Sequence, residues 1–380
     1  MAAARTYLDH ASTSPLRPVA RYAMVDWLRR DSGGEVGDPA RIHAEGMTAR
    51  VAVEQAREQV AAWLGVRPRE VVLTSGATES IAAACFGARA RDPGHPHMVA
   101  GAVEHSAVRQ WVARGPHTEV GVDATGRVDP DDLLAALRPD TAMVHLQWAN
   151  HEVATRQPVA EVAARCREQG VLLHVDAAQA GTEAPQATAA GADVVSLSGH
   201  KLGAPGGTGV MVVRRGVRLS PLLVGGDQER ARRAGMENVA AVVGFGAVAE
   251  EMAATGAGEA RRLRGLTDRI RAWAGAAEGV AVLGDPTGCV PHLVCLGLEE
   301  VEPQPVLLGL DQRGVAVHSG SSCSSEAFEP SPVLAAMGAD AERSLRLSVG
   351  WSNTTEEVDS ALGLLDEVLA DLRALRRGRR

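Results

Sequence analysis

Between residues 70 and 198, short runs of aliphatic and β-branched residues alternate with longer stretches whose apolar positions recur at helical spacing. The runs at 71–74, 98–103, 142–147, 171–175 and 193–197 read as buried strands, and those at 79–89, 106–114 and 158–169 as helices. Pro158 suits a helix start, because its missing N–H is not needed in the first turn. Gly170 is where that helix stops. Such alternation predicts an α/β fold, with a mostly parallel sheet covered by helices on both faces. Ligands of such sheets collect beyond the carboxyl ends of the strands.

The pattern changes near residue 238. An Ala-rich helical region runs to about 277, with a break expected around Gly256 and Gly258. Strands follow at 292–298, 315–317 and 345–349. A last helix opens on the capping-box pair Thr354 and Glu357 and carries Val358, Leu362, Leu365 and Leu369 at helical spacing. The expected division is a large domain over 14–255 and a smaller α+β domain over 256–380, which also takes residues 1–13. No internal repeat or low-complexity linker interrupts the chain.

Composition narrows the function. With 45% hydrophobic residues and 41 glycines, the chain can build a sizeable core with many tight turns. A net charge of −8 opposes a nucleic-acid binder held by phosphate contacts. Apolar runs such as 239–248 are short and Gly-interrupted, and residues 1–8 carry no signal-peptide pattern. The expectation is a cytoplasmic protein with no membrane partner. Cys85, Cys166, Cys289, Cys295 and Cys323 show no C-x-x-C spacing, so free thiols and no metal site are expected. The basic end, Arg376, Arg377, Arg379 and Arg380, reads as a solvated tail.

Three polar segments sit where strands end. Thr74 to Glu79 lies between a strand and a helix, where backbone N–H groups can bind an anion or merely cap the helix. Asp176, followed by Gln179, ends another strand, as a ligand-facing acid or an ordinary turn residue. Ser198-Gly199-His200-Lys201 ends a third and runs into a Gly-rich loop. There Lys201 is either a solvated charge or a Schiff-base amine. Cys323 lies in the polar run 319–325, whereas the other four cysteines read as small buried hydrophobes. An ordinary thiol, with pKa about 8.5, is mostly protonated at neutral pH, so a reactive Cys323 needs help to ionise.

Taken together, these segments resemble the cysteine desulfurases, within the fold-type I, class V aminotransferase-like enzymes that use pyridoxal 5′-phosphate (PLP). The resemblance runs from Tyr7 to the final helix. It is most specific at 74–80, Glu104-His105, 174–179, 198–201, 320–323 and 346–350. It implies a fold-type I PLP-dependent transferase in which Lys201 carries the cofactor and moves the substrate Cα proton. Asp176 would pair with the pyridine nitrogen and keep the ring an electron sink. Gln179 would bond the ring hydroxyl, and His105 would stack on the ring and assist proton transfer. Ala77, Thr78, Ser198 and His200 would hold the phosphate. Arg346 would clamp the substrate carboxylate through its bidentate fork, with Asn150 also on the substrate side. Cys323 would attack the sulfur of L-cysteine, leaving L-alanine and a Cys323 persulfide for an Fe–S scaffold, tRNA-thiolation or sulfur-carrier protein. A homodimer is implied by the same resemblance.

Three positions depart from the family pattern. His151 stands where an Asn usually reaches the ring hydroxyl, Asp38 where Gly-Asn-Pro is usual, and Met236 where a Thr normally touches the other subunit's phosphate. Other readings of the same residues are a selenocysteine lyase, another β-lyase, an aminotransferase or epimerase, and a non-catalytic scaffold. Cys323 weighs against the aminotransferase and epimerase, and an intact Lys201, Asp176 and Cys323 against the scaffold.

Overall fold

In the computed structural model, residues 5–29, 36–319 and 330–377 are described. Seven strands form the main sheet, in the order Val71–Thr74, Gly209–Val213, Val194–Ser198, Leu172–Asp176, Thr141–Gln147, His97–Gly101 and His117–Val120. Gly209–Val213 runs antiparallel to both neighbours, and the other four pairings are parallel. Successive side chains alternate between two cores, as strand geometry requires. Val71, Leu73, Val144, Leu146, Val195 and Leu197 face one core, and Val72, Met143, Val194 and Met211 the other.

Two strands of this sheet escaped the sequence reading. His117–Val120 is a mostly polar edge strand with no apolar run to announce it. Gly209–Val213 follows a glycine-rich loop, and its first residue has a structural purpose. A Cβ at Gly209 would lie 2.4 Å from the Cα of Gly76, so only glycine lets this strand pass under the turn at 76.

The break expected near Gly256 and Gly258 is absent. Val239–Ala276 is one helix of 38 residues. A glycine in a helix costs only about 1 kcal/mol relative to Ala, which packing overrides. Its first half packs on the helices Pro18–Leu28 and Ala44–Leu64, and Met252 still belongs to the large core. From Leu263 onward it belongs to a second core built around Leu8, Leu296, Leu347 and Leu365. The helix is also long and apolar enough to cross a bilayer, contrary to what its separate apolar runs suggested. In its most apolar window, 56% is buried against protein, as in a core helix.

The second core carries a four-stranded antiparallel sheet, ordered His318–Ser319, Ser344–Ser348, Leu293–Leu298 and Val280–Leu283. The strand expected over 315–317 is split. Val315–Ala316 pairs in parallel with Thr6–Tyr7, and His318–Ser319 pairs with Ser344–Ser348.

Candidate active site

A cavity of about 280 Å³ opens beyond the carboxyl ends of the parallel strands. Asp176 is the last residue of Leu172–Asp176 and is only 6% exposed. Its Oδ1 accepts from the Ala178 N–H at 2.9 Å. Gln147 pairs with it across one neighbouring strand, and both side chains line the cavity. Two residues back on the same face, His174 bonds Ser196 Oγ through Nε2 at 2.8 Å and His145 through Nδ1 at 3.0 Å. Burial lowers the pKa of both rings, that of His174 to about 4, so both are neutral near pH 7.

The helix Ala77–Arg91 points its N-terminus at the cavity, with Ala77 and Thr78 in the wall. Thr74 Oγ1 and Ser80 Oγ, 2.9 Å apart, fix this turn. Glu79 accepts from the Ser75 N–H and from Arg233 Nε, each at 2.9 Å. Ser198 and His200 line the same side. Free N–H groups, the positive end of a helix dipole and a nearby hydroxyl suit a phosphate.

Lys201 sits on the short turn Gly199–Leu202 that follows Val194–Ser198. The N-terminal segment pins that turn. Ser14 Oγ donates to the Lys201 carbonyl at 3.0 Å, and Arg17 Nε to the Leu202 carbonyl at 2.8 Å.

His105 precedes the helix Ser106–Val112 and accepts from the Ala107 N–H through Nδ1 at 3.1 Å. That bond places the neutral ring's proton on Nε2. Its edge meets His151, with ring centroids 5.2 Å apart. His151 Nε2 is 3.5 Å from Glu152 Oε1. Beside them Glu104 is buried, accepting at Oε1 from the Gln147 N–H at 2.7 Å. Burial, reinforced by the Asp176 charge, pushes the Glu104 carboxyl up to about 8.

Arg346 is 1% exposed and lines the cavity. It donates to the His151 carbonyl at 2.9 Å and to Ser12 Oγ at 2.7 Å, and pairs with Asp9. Its Nε is buried with no hydrogen-bond partner among the described residues.

Asn150 is not brought to the cavity. Its Nδ2 donates to the Val103 carbonyl, and its Oδ1 accepts from the N–H groups of Glu152 and Val153. The amide thus locks its own turn. Cys323 lies outside the described residues. The strand that ends at Ser319 pairs His318 with Arg346, and Ser331 Oγ donates to Glu152, the chain neighbour of His151. The other four cysteines are buried, and burial raises the pKa of Cys85 to about 12 and of Cys166 to about 11. Among the described residues no cluster suits a metal ion.

Sequence reasoning missed Ser12 and Gln147 in the cavity wall. Ser12 lies far from the other site residues in the chain, and Gln147 looked like the end of a strand.

Residues 6–361 match the Aminotransferase class-V family. A cysteine desulfurase of Gluconacetobacter diazotrophicus is 39% identical, with 97% of this chain and 94% of that protein covered. A cysteine desulfurase IscS of Dictyoglomus turgidum is 36% identical over 97% of this chain and 95% of its own. Among solved structures, a NifS-like protein superposes with a TM-score of 0.89 at 29% identity, covering 97% of this chain and 100% of the other. DndA from Streptomyces lividans gives 0.75 at 33% identity, covering 90% and 99%.

Proposed function

This chain belongs to the cysteine desulfurases of the class-V aminotransferase family, and from its cavity we propose that it removes sulfur from L-cysteine with PLP as cofactor. The convergence of Lys201, Asp176 and the N-terminus of Ala77–Arg91 on one cavity carries this reading. The residues fit the cofactor. Ala77, Thr78, Ser198 and His200 would hold its phosphate, Asp176 its ring nitrogen and Lys201 its aldehyde carbon. Gln179 donates one N–H to the Ala11 carbonyl at 2.8 Å, which leaves its second N–H for the ring hydroxyl. Bound there, PLP supplies an electron sink for charge developing at the substrate Cα.

The chain's own groups do the rest. Arg346 receives the substrate carboxylate at its unpartnered Nε. The Lys201 amine carries the Cα proton, and His105, with its proton on Nε2, assists. The Cys323 thiolate attacks the substrate sulfur: an S–S bond forms, the substrate C–S bond breaks, and its electron pair stays with the carbon. Protonation of that carbon yields L-alanine and a Cys323 persulfide, which passes to an acceptor protein.

A homodimer goes with this reading. Ile42 is 93% exposed, Val224 76% and Met236 63%, and the segments bearing them meet around one surface cavity. The change of core between Met252 and Leu263 supports the division at 255/256. A cytoplasmic location fits persulfide chemistry, which needs reduced thiols.

The test is to incubate PLP-loaded protein with L-cysteine and a reductant, and to measure sulfide and alanine. Wild type should release both, and Cys323→Ala neither. Undiminished turnover in Cys323→Ala would sink the role of that thiol. A protein that stays colourless with added PLP would contradict the cofactor.

A further inference from the structure

Behind Lys201 and Gln179 lies a second, smaller space of about 30 Å³. Three buried polar atoms in its lining have no hydrogen-bond partner among the described residues: His10 Nε2, Thr182 Oγ1 and His292 Nδ1. The backbone closes tightly on both rings. A Cβ at Gly350 would overlap the His10 ring, and one at Gly181 would come within 3.1 Å of His292.

The neighbours of each ring settle where its proton sits. Ser14 Oγ gives its only proton to the Lys201 carbonyl, so it accepts from His10 Nδ1 at 2.9 Å. His10 therefore carries its proton on Nδ1 and is left with a bare, buried Nε2 near Asn353. Gln179 fixes the other ring. Its Nε2 donates to the Ala11 carbonyl, so Oε1 is the atom facing His292 Nε2, at 3.4 Å, and can only accept. His292 therefore carries its proton on Nε2 and is left with a bare, buried Nδ1. Burial holds both rings at a pKa of about 4, so neither is protonated near pH 7. Two acceptors and one hydroxyl thus belong to residues that line a space the size of one water.

We propose that this cavity is a binding site for a single water molecule, which donates to His10 Nε2 and His292 Nδ1, accepts from Thr182 Oγ1, and so fixes Gln179 behind the cofactor cavity. An ammonium ion would match the two acceptors but not the setting, since Arg17 and Lys201 also line the space. The guanidinium of Arg17 already takes up the carboxylate of Glu259, the acid in the lining. A neutral donor with one accepting site remains, and that is water. Through His292 it holds the carboxamide of Gln179 in the one orientation that keeps an N–H for the cavity.

High-resolution crystal structures of the protein, with and without PLP, test this. Each should show one peak at about 2.7–3.2 Å from all three atoms. Thr182→Val should lose the peak, and Thr182→Ser should keep it. An empty cavity, a His10 ring turned to donate from Nε2 to Asn353, or an unchanged peak in Thr182→Val overturns the site. Its link to Gln179 rests on the PLP reading and has a separate readout, the pH midpoint of the cofactor's visible band. That midpoint should shift in Thr182→Val and return in Thr182→Ser. A water-free Thr182→Val with the wild-type midpoint would overturn the positioning role, while the water peak stands or falls without the cofactor.

Discussion

Arg346 Nη2 donates to Asp9 Oδ1 at 2.9 Å, joining a strand of the smaller sheet to the N-terminal segment at the cavity wall. The pair, with Ser12 and the His151 carbonyl, fixes the guanidinium and leaves Nε without a partner among the described residues. A lysine has no fork to satisfy this set. Arg346→Lys should raise KM for L-cysteine by about tenfold or more, roughly 1.4 kcal/mol, with a smaller effect on kcat. Steady-state kinetics on the PLP-loaded variant check it; an unchanged KM contradicts the clamp.

Glu104 gives a stability signature with a definite sign. Its carboxyl titrates near 8 in the fold, raised by burial and then by Asp176, against an ordinary value of 4.5 for a solvated glutamate. The folded protein therefore binds the extra proton, and this contribution to stability falls as pH rises from about 4.5 through 8. Glu104→Gln keeps the neutral shape and removes the cost of ionisation. It should match wild type near pH 5 and be more stable at pH 8.5, by a few kcal/mol. Urea unfolding at both pH values measures it, and equal differences at the two would contradict a neutral Glu104.

The histidines have the opposite sign. Burial holds His10, His174 and His292 at about 4, and lowers His145 well below its ordinary value. Unfolded histidine titrates near 6.5, so unfolding takes up protons, and stability should fall as pH drops from 6.5 through 4. Each ring contributes up to about 1.4 kcal/mol per pH unit in that window. Urea midpoints at pH 7, 6 and 5 should fall progressively; a flat series would mean that the rings are charged in the fold.

Arg57 and Glu229 form a buried pair at 2.6 Å, with Glu229 also accepting from the Leu73 N–H. It anchors a loop in which Glu229, Arg230 and Ala231 all have positive φ, a strained backbone for non-glycine residues. Glu229→Gln leaves Arg57 with only the part-exposed carboxylate of Glu54, at 3.1 Å, and should cost about 3 kcal/mol. Thermal and urea denaturation check the loss, and a near-neutral change would show that water reaches the pair.

Much of this molecule could be read locally. Strands of the parallel sheet are buried on both faces, so they stand out as apolar runs, and their ends marked Asp176 and Lys201. Polar edges and continuous helices were harder. His117–Val120 lacks an apolar run, and Gly256 and Gly258 read as a break although packing carries the helix through them. Asn150 shows the same limit within the site. Its position in the chain suggested substrate, yet its amide bonds the distant Val103 carbonyl and two N–H groups of its own turn.

By itself the chain determined the class of fold, the family and most of the residues that line the cavity, because residue type and spacing along each strand set these. Only tertiary structure decided which atoms remain available. The orphaned Nε of Arg346, the neutral carboxyl of Glu104 and the bare nitrogens of His10 and His292 depend on burial and on partners distant in the chain. A hydrogen bond consumes a donor wherever its acceptor comes from, and that account closes only when the chain is folded.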